Sequence, residues 1–173
     1  MPDPLTPPLG PGDHVDGPAD APLELVMYGD FQCPFCTAAQ PILARVRSRL
    51  EGRLRFAFRH FPLRTIHPDA ERAAEAAEAA AAQGAFWPMH DALYAQRGKL
   101  DEDDVVRAAE RLGLDGARIR AELRDGTHAA RVQADVESGD AGGVGGTPTF
   151  FVNGVRHTGA FDAQSLIAAL EGR

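Results

Sequence analysis

Leu23-Glu24-Leu25-Val26-Met27-Tyr28-Gly29-Asp30-Phe31-Gln32-Cys33-Pro34-Phe35-Cys36 carries an apolar run into a break and then into the chain's two cysteines, with two residues between them. The run reads as a buried strand. The stretch from about Pro34 to Leu50 reads as a helix, with Leu43, Val46 and Leu50 on one face and Arg45, Arg47 and Arg49 elsewhere. Pro41 lies inside it and predicts a kink. Leu54, Phe56 and Phe58 then alternate with Arg53, Arg55, Ala57 and Arg59, the period of a strand, and the arginine side places it near a sheet edge. Strand, helix and strand of this length form a βαβ unit with a right-handed crossover.

A cysteine at a helix start faces unpaired N–H groups and the positive end of the helix dipole, and both favour thiolate over thiol. Cys33, first in the turn and the more exposed, is the expected nucleophile. Cys36, one helical turn inside and shielded, is placed to resolve a mixed disulfide. Pro34 pre-sets the dihedral of the first helical position. Structural zinc takes about four ligands, and His60 and His67 are badly spaced to complete a set. An iron–sulfur site would need four thiolates. No metal and no cofactor is therefore expected.

With 173 residues, 44% hydrophobic and 25% charged, the composition is that of an ordinary globular chain. The net charge of −7 argues against a general nucleic-acid binder, and no apolar run is long enough to span a bilayer. Met1-Pro2-Asp3-Pro4-Leu5-Thr6-Pro7-Pro8 lacks the basic and hydrophobic regions of a secretory signal. The default compartment is then the cytoplasm, or an extracytoplasmic one if Met1 is not the native start. A reducing cytoplasm makes the cysteine pair catalytic or metal-binding rather than a structural disulfide.

Seven of the thirteen prolines fall in residues 1–22, which reads as an extended, partly disordered arm. The middle is helical: an Ala-rich segment from Pro68-Asp69 to Gly84, a short piece over Phe86–Gln96, a helix capped by Asp101 and ending at Gly113, and two more over Gly116–Arg124 and Thr127–Ser138. Phe150–Val152 and Val155–Thr158 flank Asn153-Gly154, a hairpin turn signal, and Asp162 caps a last helix with Leu166, Ile167 and Leu170 inward. Phe86 and Trp87 read as packing residues. His60, His67 and His90 read as hydrogen-bonded structural histidines, and Asp101–Asp104 as a solvated helix start.

Gly146-Thr147-Pro148-Thr149 puts a proline at a strand start. A trans bond there is the ordinary state. A cis Pro148 facing the cysteines would let the Thr147 backbone pair with an extended substrate. Taken together, Gly29–Cys36, Pro41, Phe58-Arg59-His60-Phe61-Pro62-Leu63, Phe86-Trp87-Pro88-Met89-His90-Asp91 and Gly146–Phe150 resemble the DsbA-like branch of the thioredoxin superfamily, in order, from about Asp13 to Arg173. Asp13-His14-Val15-Asp16-Gly17-Pro18 is also similar to a segment preceding thioredoxin-like domains of bacterial proteins, some attached to sodium/proton antiporters. The resemblance implies an α/β thioredoxin fold (βαβ…ββα) with an inserted helical subdomain. It divides the chain into an extended arm over 1–20, a thioredoxin-like domain over 21–62 and 145–173, and the insertion over 63–144.

It also implies Cys33 as attacking cysteine, Cys36 as resolving cysteine and Pro148 in cis, with Pro34, Phe35 and Thr147 as substrate contacts. The expected activity is protein thiol–disulfide exchange by a monomer acting on protein or peptide thiols and disulfides, with an unidentified redox partner. The alternatives are a glutaredoxin-like, glutathione-dependent reductase and a redox-sensing or peptide-binding module without turnover. One departure stands out. Where many relatives carry a buried acid six residues before the first cysteine, this chain has Met27, and alternation turns Glu24 to the opposite face.

Overall fold

Leu25 and Met27 point to one face of the second strand and Val26 and Tyr28 to the other, and all four are buried. A strand buried on both faces needs a layer on each, and the fold supplies them. The computed structural model describes residues 3–173. Five strands, β1 (His14–Asp16), β2 (Leu23–Gly29), β3 (Leu54–His60), β4 (Thr149–Val152) and β5 (Val155–Arg156), form one sheet in the order β1-β3-β2-β4-β5. β2 and β3 are parallel and joined by α1 (Pro34–Arg49), and the other pairings are antiparallel. Met27 stands opposite Phe58 on one side and Phe150 on the other.

Between β3 and β4 come α2 (Ala70–Ala81), α3 (Phe86–Ala95), α4 (Glu102–Arg111), α5 (Gly116–Asp125) and α6 (Ala129–Ala141), and α7 (Ala163–Leu170) closes the chain. Phe56, Phe58, Leu25 and Met27 meet α1, α7 and the inserted helices in the larger core. Alanine is the best helix former, and in α2 the alanines also form the packing face. On the opposite face α6 lies close: Tyr28 Oη and Ser138 Oγ are 2.7 Å apart, and a Cβ on Gly139 would stand 2.7 Å from the Phe61 ring. Asp101 and Asp104 form a capping box at the start of α4, which is what that acidic cluster does.

The arm and the β3 arginines differ from the sequence expectation. The residues from Asp3 onward are docked on the sheet. Leu5 is buried against Val26, Ala57 and Phe151, and Pro4 bridges Val155. His14–Asp16 adds the strand β1, so β3 is an inner strand. Arg59, expected at an exposed edge, is 2% exposed. It donates to Asp13 at 2.8 and 3.0 Å, to Tyr28 Oη at 2.9 Å and to Pro7 O at 3.0 Å. A buried cation must be paired and hydrogen-bonded, and the arm supplies its partners. Burial alone would raise the Asp13 carboxyl; the bonds from Arg59, the Gly10 N–H and the nearby Arg131 charge together more than offset it, so Asp13 lies below the usual carboxylate range.

Removing one partner of a buried ion pair leaves the other charge without compensation. Asp13→Ala is therefore expected to lower the unfolding free energy by about 3 kcal/mol. Urea unfolding measures it, and an unchanged midpoint would mean that the arm is not held by this pair.

Candidate active site

Strand β2 ends at Gly29, and the turn after it is organised by the Asp30 side chain. Its Oδ1 accepts Gln32 N–H at 2.7 Å, and its Oδ2 accepts Leu63 N–H at 2.9 Å and faces His67 Nδ1 at 2.7 Å. The Asp30 carbonyl accepts Cys33 N–H at 3.1 Å. Gln32 crosses to the same loop, accepting Asp69 N–H at 2.8 Å. Cys33 then occupies the N-cap of α1 with extended dihedrals (φ −73, ψ 122), and Pro34 is the first helical residue. The first turn presents the N–H groups of Phe35 and Cys36 toward the Cys33 sulfur.

The expected site residues come together. The Thr147–Pro148 bond is cis, and Cys33 Sγ lies 3.6 Å from Thr147 O. Phe35, between the cysteines, stands 67% exposed. The expected difference in exposure between the sulfurs is small, Cys33 being 2% and Cys36 0% exposed, because the Thr147 loop lies over Cys33. The difference between the two is electrostatic. The Cys36 S–H donates to Cys33 Sγ, and this is the largest influence on it. Burial opposes, but the Thr147 side chain and the N–H groups of Cys36 and Phe35 add to the first, so the Cys33 thiol falls to about 5. Burial, and then the Cys33 sulfur, push the Cys36 thiol up. One thiolate and one thiol share a proton between two sulfurs, an arrangement suited to nucleophilic attack by Cys33.

Sequence reasoning missed two residues here. Asp30 has one local side-chain partner, Gln32 N–H, but its ties to Leu63 N–H and His67 on the loop after β3 have no local signal, and neither has Tyr94, which reaches the turn from α3. The histidines make the hydrogen bonds expected of them. His60 Nε2 and His14 Nε2 both reach Glu78 Oε2, at 2.8 and 2.7 Å, and His90 Nδ1 meets Asp91 Oδ1 at 2.8 Å. Trp87 packs against Phe56 and Phe86.

Among the described residues, His14, His60 and Glu78 form one cluster with the donor types of a divalent-cation site. Its surroundings are those of a hydrogen-bonded cluster. The Arg131 guanidinium stands 3.8 Å from Glu78 Oε1, and His60 Nδ1 lacks the partner that a metal-bound imidazole ordinarily has. Burial alone would raise the Glu78 carboxyl, and the two imidazoles outweigh it and hold Glu78 far below the usual range.

A family model described as thioredoxin matches residues 10–172, and the chain belongs to that family. It is 49% identical over 158 residues to the Na(+)/H(+) antiporter NhaA 1 of Salinispora arenicola, covering 91% of this chain and 24% of that protein. It is 45% identical over 163 residues to an NhaA 1 of Mycolicibacterium vanbaalenii, covering 92% of this chain and 26% of that protein. The chain thus spans about a quarter of the length of these curated relatives. Among solved structures, BdbD from Bacillus subtilis superposes with a TM-score of 0.85 at 22% identity, over 93% of this chain and 92% of that one. A thioredoxin-like oxidoreductase from Silicibacter pomeroyi gives 0.83 at 26% identity, over 94% and 92%. The architecture is thus a thioredoxin-like α/β fold with a helical insertion, shared with DsbA-type proteins.

Alkylation of Cys33 is expected to follow its thiolate, present above a midpoint of about 5 and lost as pH falls through it. Because the Cys36 thiol is the leading influence, Cys36→Ala is expected to move the midpoint up toward the ordinary value of about 8.5. Iodoacetamide rates against pH measure both. A midpoint near 8.5 in the unmodified chain would remove the electrostatic basis for a nucleophile.

Proposed function

We propose that this chain is a thiol–disulfide oxidoreductase that exchanges disulfides with protein substrates through Cys33-Pro34-Phe35-Cys36, and that it acts as a disulfide donor. One observation carries the reading: the Cys33 sulfur, lowered to about 5 by the Cys36 thiol, lies 3.6 Å from the Thr147 carbonyl. A stabilised thiolate stabilises the reduced protein, so the oxidised pair gives up its disulfide readily. The Thr147 backbone is the group an extended polypeptide would pair with while its sulfur meets Cys33. Phe35 and Ile66 support a polypeptide substrate: both are large, apolar and mostly exposed, and Ile66 lies on the loop that Asp30 ties to the turn. Likeness to the Silicibacter oxidoreductase supports the chemistry. Transport is not proposed for this segment, since no helix among the described residues is long and apolar enough to cross a membrane.

In the donor direction a substrate thiolate attacks Cys33 Sγ, the Cys33–Cys36 bond breaks, and the electron pair goes to Cys36, which takes a proton. A second substrate thiolate then attacks the substrate sulfur of the mixed disulfide and releases Cys33 as thiolate. The substrate dithiol is oxidised and the protein disulfide reduced.

The Cys33–Cys36 potential, measured against glutathione, is expected nearer the DsbA value of about −120 mV than the thioredoxin value of about −270 mV. Oxidised protein should also restore activity to a reduced, unfolded disulfide enzyme over many turnovers. A potential near −270 mV with rapid insulin reduction would reverse the assigned direction, and the absence of turnover would leave only a redox-sensing module.

Roles within the pair are tested by trapping. Cys36→Ser is expected to accumulate mixed disulfides through Cys33, whereas Cys33→Ser should accumulate few, because the Cys36 thiol is buried and pushed up. Equal trapping by the two variants, read on non-reducing gels, would contradict the assignment.

A further inference from the structure

Whichever way exchange runs, it passes through a Cys36 thiolate, and burial disfavours that anion. The acid that could assist is absent, since Met27 fills the position with a thioether in the larger core. The Asp30 carboxylate does not replace it. Both its oxygens already receive Gln32 N–H, Leu63 N–H and His67.

A different polar group reaches the same spot. A Cβ built on Gly29 would lie 3.0 Å from the terminal methyl of Met27 and 2.9 Å from the Tyr94 hydroxyl. The two side chains converge from β2 and α3 on the end of β2. Tyr94 is 4% exposed and shares the core cluster with Cys33 and Cys36. Its ring is held by Phe31 at 4.8 Å and His90 at 5.1 Å between centroids. The hydroxyl has one long bond, 3.5 Å to the Asp30 carbonyl, and the Cys36 sulfur, in the same core cluster, is among the groups that act on it. A buried hydroxyl with one weak acceptor gains by turning to a charged one.

We propose that Tyr94 is a positioning residue for the exchange reaction, donating its hydroxyl hydrogen bond to Cys36 Sγ whenever that sulfur carries the negative charge. This rests on the exchange reading above. When substrate thiolate attacks Cys33, Tyr94 steadies Cys36 as it leaves. When Cys36 attacks the Cys33 sulfur of a mixed disulfide, the Cys33–Cys36 bond forms, the bond to substrate breaks, and the electron pair departs with the substrate sulfur. Tyr94 keeps its own proton throughout, because burial raises its phenol well above the ordinary range. The proton of Cys36 goes to solvent or to the departing thiolate. The titratable and charged groups around this pair are Cys33 and Asp30 in the turn, His90 and its partner Asp91 on α3, His60 on β3, His67 after it, and Arg47 on α1. None of them changes in the variant that removes only the Tyr94 oxygen.

The test uses the full chain with Cys33 joined in a mixed disulfide to a chromogenic aryl thiol, so no protein substrate is required. Release by Cys36 is followed in a single turnover against pH, and it should rise with pH as the thiolate forms. Tyr94→Phe is expected to displace the profile about one pH unit upward, making release about tenfold slower near neutrality, the effect of losing one hydrogen bond to an anion. The Cys33 alkylation midpoint should stay in place, which a general disturbance of the turn would not allow. Met27→Glu in the Tyr94→Phe background, which supplies a proton acceptor in place of the lost donor, is expected to recover the rate at neutral pH by a different route, taking the Cys36 proton. Superposing profiles for the unmodified chain and Tyr94→Phe would overturn the proposal, as would equal shifts in the Cys33 midpoint and the release profile. Failure of the exchange reading would show separately, as fast release of the aryl thiol without turnover of any protein disulfide.

Discussion

Asp30 receives Gln32 N–H on one carboxylate oxygen, and Leu63 N–H together with His67 on the other, while its carbonyl receives the N–H of Cys33. Those bonds tie the end of β2, the first turn of α1 and the loop after β3 to one point. Gln32 adds a second tie, accepting Asp69 N–H and donating to Gly98 O. The Cys33 backbone is fixed by the Asp30 carbonyl, so the helix start and its N–H groups are aimed at the sulfur before any substrate arrives. The loop that carries Ile66 is placed by the other end of the same side chain. The geometry of the cysteine turn is therefore inherited from a buried acid.

The two sulfurs are nearly alike in exposure and unlike in charge preference. A low effective dielectric strengthens the hydrogen bond from Cys36 to Cys33, and it equally penalises a second anion. The pair is thereby stable with one proton. Both sulfurs lie in the core cluster with Phe31, Met27 and Tyr94, so the apolar packing that stabilises the domain also sets the acidity of its nucleophile.

The helices and the cysteine turn were legible because their signals are local. Pro34 at the helix start, the capping Asp101 and Asp162, and the Asn153-Gly154 turn lie beside the elements they delimit. The three-residue strand β1 was not legible, since its reason for existing is Ala57 and its neighbours some forty residues away. Arg59 misled for the same reason. Alternation placed it correctly on the face opposite Phe58, but only the folded arm shows that this face is covered. In the site, Cys33, Cys36, Thr147 and Pro148 could be read from motifs. Asp30 and Tyr94 could not, because each is defined by who reaches it across the fold.

The arm between Asp3 and Asp16 traverses one face of the sheet from rim to rim. At one side Leu5 N–H bonds Gly154 O at 2.8 Å and Arg156 N–H bonds Asp3 O at 2.9 Å beside β5; at the other, His14–Asp16 lies along β3. Open strand rims invite pairing with any extended chain. This strap covers the outer edges of β3 and β5, and the new rims it makes are a three-residue strand and a segment carrying Pro4, both poor templates for a further strand. The strap thus makes each rim of the sheet a poor partner for further strands, a protection against edge-to-edge association that the arm supplies from within the same chain.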